Sequence, residues 1–176
     1  MIRLRAMLFF ILLAIQTAHA LDPKATDVLS LRLGMGEAEV TAKLSEQGFA
    51  GPTFRRDYQP CRLDAAVRCL VSLSTRTMDG RVVVEFDRPS ASGPDRVTAI
   101  AYLLDAKRPG EPEAITISVV ERYGPPDIAH PMTWCDRPTG IGPCSPHRAH
   151  MTLQGEAGAP LVLRLTEKSP TGMGSR

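Results

Sequence analysis

The chain contains no asparagine, so it offers no N-glycosylation acceptor. After residue 20 it has no apolar run long enough to span a bilayer; the longest, from Val97 to Leu104, covers only a fraction of the hydrocarbon thickness. It lacks a Gly-x-Ser-x-Gly elbow, a His-Glu-x-x-His pair and a phosphate-cradling glycine loop, which removes the common signatures of hydrolases, zincins and nucleotide-binding enzymes. Surplus charge is also missing. Lys and Arg number 21 against 19 Asp and Glu, and Arg3 and Arg5 account for the whole excess. Once those two are set aside the chain is neutral, which disfavours the surplus of cation that nucleic-acid binding requires, and no nucleic-acid partner is expected.

What the first twenty residues do contain explains why they are set aside. "MIRLRAMLFFILLAIQTAHA" places Arg3 and Arg5 before an apolar run from Ala6 to Ile15 and ends on small residues, the layout of a secretory signal peptide. Cleavage is expected after Ala20. The residue exposed would be Leu21 rather than a cysteine, so no lipid acceptor and no stable membrane anchor are expected. Arginine heavily outnumbers lysine, as in chains from GC-rich genomes, and with the short leader this points to a soluble product in a bacterial periplasm.

Export sets the chemistry of the four cysteines. In an oxidising compartment they read first as structural bridges. Cys61 with Cys69 and Cys135 with Cys144 are the favoured pairs, because each closes a short loop, although spacing alone leaves all three pairings open. Seven and eight intervening residues fit neither zinc-ligand spacing nor a two-residue redox pair.

Periodicity then gives the elements. Leu29, Leu31 and Leu33 alternate as in a strand, and Val40 and Leu44 repeat at helical spacing between Gly36 as N-cap and Gly48 as a left-handed stop, with Phe49 packing back on Leu44. Downstream, the run Val97 to Leu104 reads as a strand. Pro112 opens a helix and Gly124-Pro125 ends it, although Ile115, Ile117 and Val119 also alternate like a strand. Behind each helix comes a cysteine pair, a strand, a turn and a strand. Asp79-Gly80 marks the first turn, with Val82, Val84 and Phe86 inward; residues 155–160 mark the second, with Leu161, Leu163 and Leu165 on one face.

This order predicts an α+β fold of two pseudo-repeated β-α-β-β-β units, each a helix on an antiparallel sheet with one local disulfide. The expected boundaries are a signal peptide over 1–20, a first unit over 21–90, a second over 91–168 and a flexible tail over 169–176. The residues Leu31-Arg32-Leu33-Gly34-Met35, Glu39-Val40, Leu44 and Gly48 resemble the entry motif of the SmpA/OmlA (BamE-like) envelope proteins, and "ERYGPP" at 121–126 is similar to the ending that follows helices in such domains. The tandem layout resembles the β-lactamase inhibitory protein fold. The resemblance implies a non-catalytic envelope module that binds another envelope protein through its sheet face and loops.

No cofactor and no enzymatic activity are expected. Within the binding reading the loops enclosed by the disulfides are the favoured contact segments, the glycine- and proline-rich one between Cys135 and Cys144 above all, with Trp134, Arg137, Thr139 and Ile141 as candidate interface residues; beside the bridge, core is the better reading of Trp134. The alternative function is a small metal-dependent periplasmic enzyme or metal-binding protein using Asp136, His147 and His150, with His130 nearby; Pro146 argues against the helix that would align the His147/His150 pair.

Overall fold

Glycine placement decides where the helices start and stop in the computed structural model, which describes residues 26–49, 53–76, 80–90, 92–105, 110–136, 145, 148–155 and 160–167. Helix α1, Glu37–Glu46, begins after Gly36 and carries Glu37 and Glu39 in its first turn, where carboxylates meet the positive end of the helix dipole. It ends in a complete Schellman motif: Gly48 adopts φ +87°, its N–H donates to Ser45 O at 3.0 Å, and Phe49 N–H donates to Leu44 O at 3.1 Å. Helix α2, Glu111–Tyr123, has Pro112 in its first turn and closes where Gly124 at φ +80° donates its N–H to Val120 O at 2.8 Å. The ambiguous alternation in this segment resolves as helix. Val119 is buried and Ile115, one turn earlier, packs on the core, while Ile117 faces solvent.

Eight strands follow the order β1 (Arg55–Pro60), β2 (Arg68–Arg76), β3 (Gly80–Asp87), β4 (Arg96–Leu104), β5 (Ile128–Ala129), β6 (Met132–Cys135), β7 (His150–Gln154) and β8 (Leu161–Thr166). All belong to one antiparallel sheet arranged β1-β2-β3-β4-β8-β7-β6-β5. The expectation of two separate helix-on-sheet units is therefore overturned. Residues 90 and 91, the expected boundary between units, fall in the connection between the neighbouring strands β3 and β4. β4 pairs with β3 on one edge and with β8 on the other, so that Ile100 stands opposite both Val84 and Leu165. Two closed units would have left backbone donors and acceptors of β4 unpaired at a sheet edge; merging into one sheet satisfies them.

The start of the expected repeat is also absent. Instead of a strand over Leu29 to Leu33, Val28 and Leu31 form an isolated bridge, with reciprocal hydrogen bonds of 3.0 Å. Leu29 at φ +54° and Ser30 at φ +58° turn the chain back between them, and Leu31 ends fully buried. This turn is tied to both helices: Gln47 donates to Leu29 O at 2.6 Å, and Tyr123 Oη donates to Asp27 O at 2.9 Å.

A single core fills the space between both helices and one sheet face. Leu73, Val84, Ile100, Leu165, Met151 and Trp134 stand opposite one another in succession across β2, β3, β4, β8, β7 and β6, and all six are buried. Val40 and Leu44 of α1 and Val119 of α2 belong to the same cluster. Each such large side chain contributes roughly 1.5–3 kcal/mol on burial, and Val82, Val84 and Phe86 point inward as their spacing predicts. On the other face, Arg164 of β8 donates Nη2 to both carboxylate oxygens of Glu85 of β3 at 3.0 Å. By register this pair crosses β4 at Ala99 and Ala101, whose small side chains leave it room. At the hairpin end of β3, only glycine fits position 80: a Cβ there would lie 2.0 Å from Leu103 O.

Candidate functional site

Strand β1 is the terminal strand of the sheet and every one of its residues is exposed. Its arginines, Asp57, the register shift between Asp57 and Tyr58 and the closing Pro60 are features that blunt a sheet edge against addition of another strand. Beyond Pro60 the chain enters a loop bridged by Cys61 and Cys69, whose Cα atoms are 5.0 Å apart. The loop is braced from within. Cys61 N–H donates to Val67 O at 2.9 Å, Val67 N–H to Asp64 O at 3.1 Å, and Ala66 N–H to Asp64 Oδ1 at 3.0 Å, so Asp64 organises the turn through side chain and backbone together. Arg68, immediately before the second cysteine, donates Nη2 to Tyr58 O and ties the loop to β1.

This bracing holds apolar side chains in solvent. Leu63 is 55% exposed, Val67 40% and Tyr58 41%. Among the described residues only five large hydrophobics are exposed, and these three fall within residues 58–67. A depression of about 190 Å³ is lined by Leu63 and Val67 together with Phe86 and Arg88. Arg88 is fixed there by a fork to Asp95, Nε to Oδ1 at 2.8 Å and Nη2 to Oδ2 at 3.2 Å. The Asp95 hydrogen bond raises the Arg88 pKa, desolvation opposes it, and the Coulombic attraction of Asp95 adds to the rise. Asp95 Oδ2 also accepts Leu70 N–H at 3.2 Å, next to the register shift where β2 leaves its regular ladder with β1.

The residues singled out from the sequence are distributed differently. Cys61 and Cys69 are bonded in the short-loop pairing, and Cys135 is disulfide-bonded too, while Cys144 lies outside the described residues. Trp134 is only 1% exposed and donates Nε1–H to Gly124 O at 2.9 Å. It is core and does not present itself to a partner. Arg137, Thr139 and Ile141 lie outside the described residues, as does His147. His150 Nδ1 sits 3.0 Å from Arg148 O, and Asp136 Oδ2 is 3.9 Å from Arg148 Nη1. His130 lies in the β5–β6 turn, joined to Pro131 by a cis peptide bond. Among the described residues no group of three or more His, Cys, Asp or Glu side chains is placed to hold a metal ion.

The sequence marks the cysteine-closed loops as candidate contact segments, but it does not single out Tyr58, Leu63 and Val67. The signal available there is two large apolar residues, Leu63 and Val67, inside a cysteine-closed loop that has neither helical nor strand period, where no core element explains them. No protein-family model, no curated protein and no solved structure matches this chain. Among the described residues no helix is long and apolar enough to cross a membrane.

Proposed function

We propose that the chain is an exported, non-catalytic protein-binding module of the cell envelope, docking an envelope protein on residues 58–67. The observation that carries the reading is the exposure of Leu63 and Val67 on a loop braced by a disulfide and its own hydrogen bonds, with exposed Tyr58 just before it on β1. A loop already fixed in one conformation loses less entropy on binding, and exposed apolar clusters of this kind mark contact sites. Docking through side chains fits the site better than strand addition, because the charges, register shift and proline of β1 work against the latter. The bridge itself is the chemistry of an oxidising compartment, which supports export.

The test is affinity capture from envelope extract with the intact protein and with a Leu63→Asp, Val67→Asp double variant. Both positions are exposed, so the variant is expected to fold and melt like the parent. Recovery of the partner is expected to fall at least about tenfold, as for loss of central apolar contacts at an interface. Equal recovery by a folded variant would remove residues 58–67 from the interface.

A further inference from the structure

A second surface feature lies at the hairpin end of β2 and β3, where a depression of about 320 Å³ is lined by Thr53, Arg55, Ser74, Thr75, Arg76 and Arg81. The strand register gathers the arginines. Arg76 stands directly opposite Arg81, and Arg55 stands opposite Ser74, two residues along β2 from Arg76. Arg55, Ser74, Arg76 and Arg81 therefore share the sheet face that α1 and α2 do not cover.

Like charges directly opposite one another destabilise a sheet, whereas several other arginines among the described residues have an acidic partner. Arg56 pairs with Glu37, Arg88 with Asp95, Arg122 with Asp27 and Arg164 with Glu85. No carboxylate lines this depression among the described residues. Arg81 reaches only the Ser74 hydroxyl, Nη2 to Oγ at 3.3 Å, and no ion pair engages Arg55 or Arg76 among those residues. Ser74 is itself buried, and the hydroxyls of Thr53 and Thr75 meet at 2.9 Å.

We infer that this depression is a binding site for a phosphate-type oxyanion. Three arginines carried on three strands line the one depression, and three cationic forks suit a tetrahedral anion with several oxygens better than a planar carboxylate with two. Arginine is the side chain best matched to phosphate, through charge-assisted and often paired hydrogen bonds. The bound anion would neutralise the Arg76–Arg81 repulsion, so the unfavourable pairing of the free protein becomes part of the binding free energy. The volume exceeds that of the anion alone and admits the group that bears it.

The experiment is a titration of the whole protein with sodium phosphate, followed by backbone amide NMR, against sodium chloride at matched ionic strength. Saturable shifts at Ser74, Arg76 and Arg81 are expected with phosphate and not with chloride. The Arg76→Gln, Arg81→Gln double variant should bind at least about tenfold more weakly. Arg55→Gln, at the sheet edge, should weaken binding independently, and Arg122→Gln, on the other side of the sheet, should leave it unchanged. Vesicles of phosphatidylcholine with phosphatidic acid separate the sources: sedimentation with them identifies a lipid headgroup, and phosphate binding without it identifies a soluble phosphate. Absence of saturable shifts, or equal affinity in the double variant and the parent, overturns the assignment.

Discussion

Tyr123 joins the end of α2 to the N-terminal turn through its hydrogen bond to Asp27 O, and the guanidinium of Arg122 both pairs with Asp27 and lies 5.4 Å from the Tyr123 ring centroid. Burial raises the phenol pKa above its ordinary value, Arg122 pulls it back, and Asp27 adds to the rise. A raised native pKa means that the folded state holds the phenol proton more tightly than the unfolded chain does. The resulting stability is fully present below the unfolded value of about 10 and is lost as pH climbs through the higher native value. Tyr123→Phe is therefore expected to cost about 1 kcal/mol at neutral pH, the worth of a hydrogen bond. The difference from the parent should shrink above about pH 10. Urea denaturation of both proteins at pH 7 and at pH 11 measures this; a difference that stays constant or widens on the alkaline side contradicts it.

Elements differ in how openly the sequence announces them, and the reasons are physical. Helix ends are local events, so Gly48, Pro112 and Gly124 mark them within a few residues, and the β2–β3 hairpin is flanked as Asp79-Gly80 predicts. β1 gives no such signal because it is an edge strand with no buried residue; an apolar alternation cannot appear where nothing is buried. The false strand at Leu29 to Leu33 arises because neither Leu29 nor Ser30 is a residue type that advertises positive φ. The arginine depression is equally hidden, since Arg55, Arg76 and Arg81 meet only once the register of three strands is fixed. The cysteine loop is legible as a staple from spacing, and its energetics follow from its length. Closing the Cys61–Cys69 loop restricts the unfolded chain by about 2.5 kcal/mol. A paired Cys61→Ser, Cys69→Ser variant should lose about that much in equilibrium urea denaturation and, under the docking proposed for residues 58–67, should also recover less of the partner, because the loop is no longer braced. An unchanged denaturation midpoint would show that the bridge is thermodynamically idle.

At the scale of the molecule, the merging of eight strands into one sheet changes what the halves of the chain can do alone. A chain ending near residue 90 would keep β1 to β3 and α1 but would lack β4, exposing the β3 edge and uncovering Val84 and Phe86, which are buried in the whole protein. The later half would likewise lose the strand opposite Ile100 and the α1 side chains Val40 and Leu44, which share its core cluster. The Arg164–Glu85 pair also links strands on opposite sides of β4. These couplings predict one cooperative unfolding transition. Trp134 provides an independent reporter, because it is the only tryptophan and is buried on β6, far along the sheet from β1 to β3. Its fluorescence follows the later strands, whereas far-ultraviolet circular dichroism averages over the whole sheet and both helices. The two signals should give coincident midpoints and slopes in urea. A Trp134 transition displaced from the circular dichroism curve would mean that the two halves unfold separately, and the shared sheet would then be a docking of independent units.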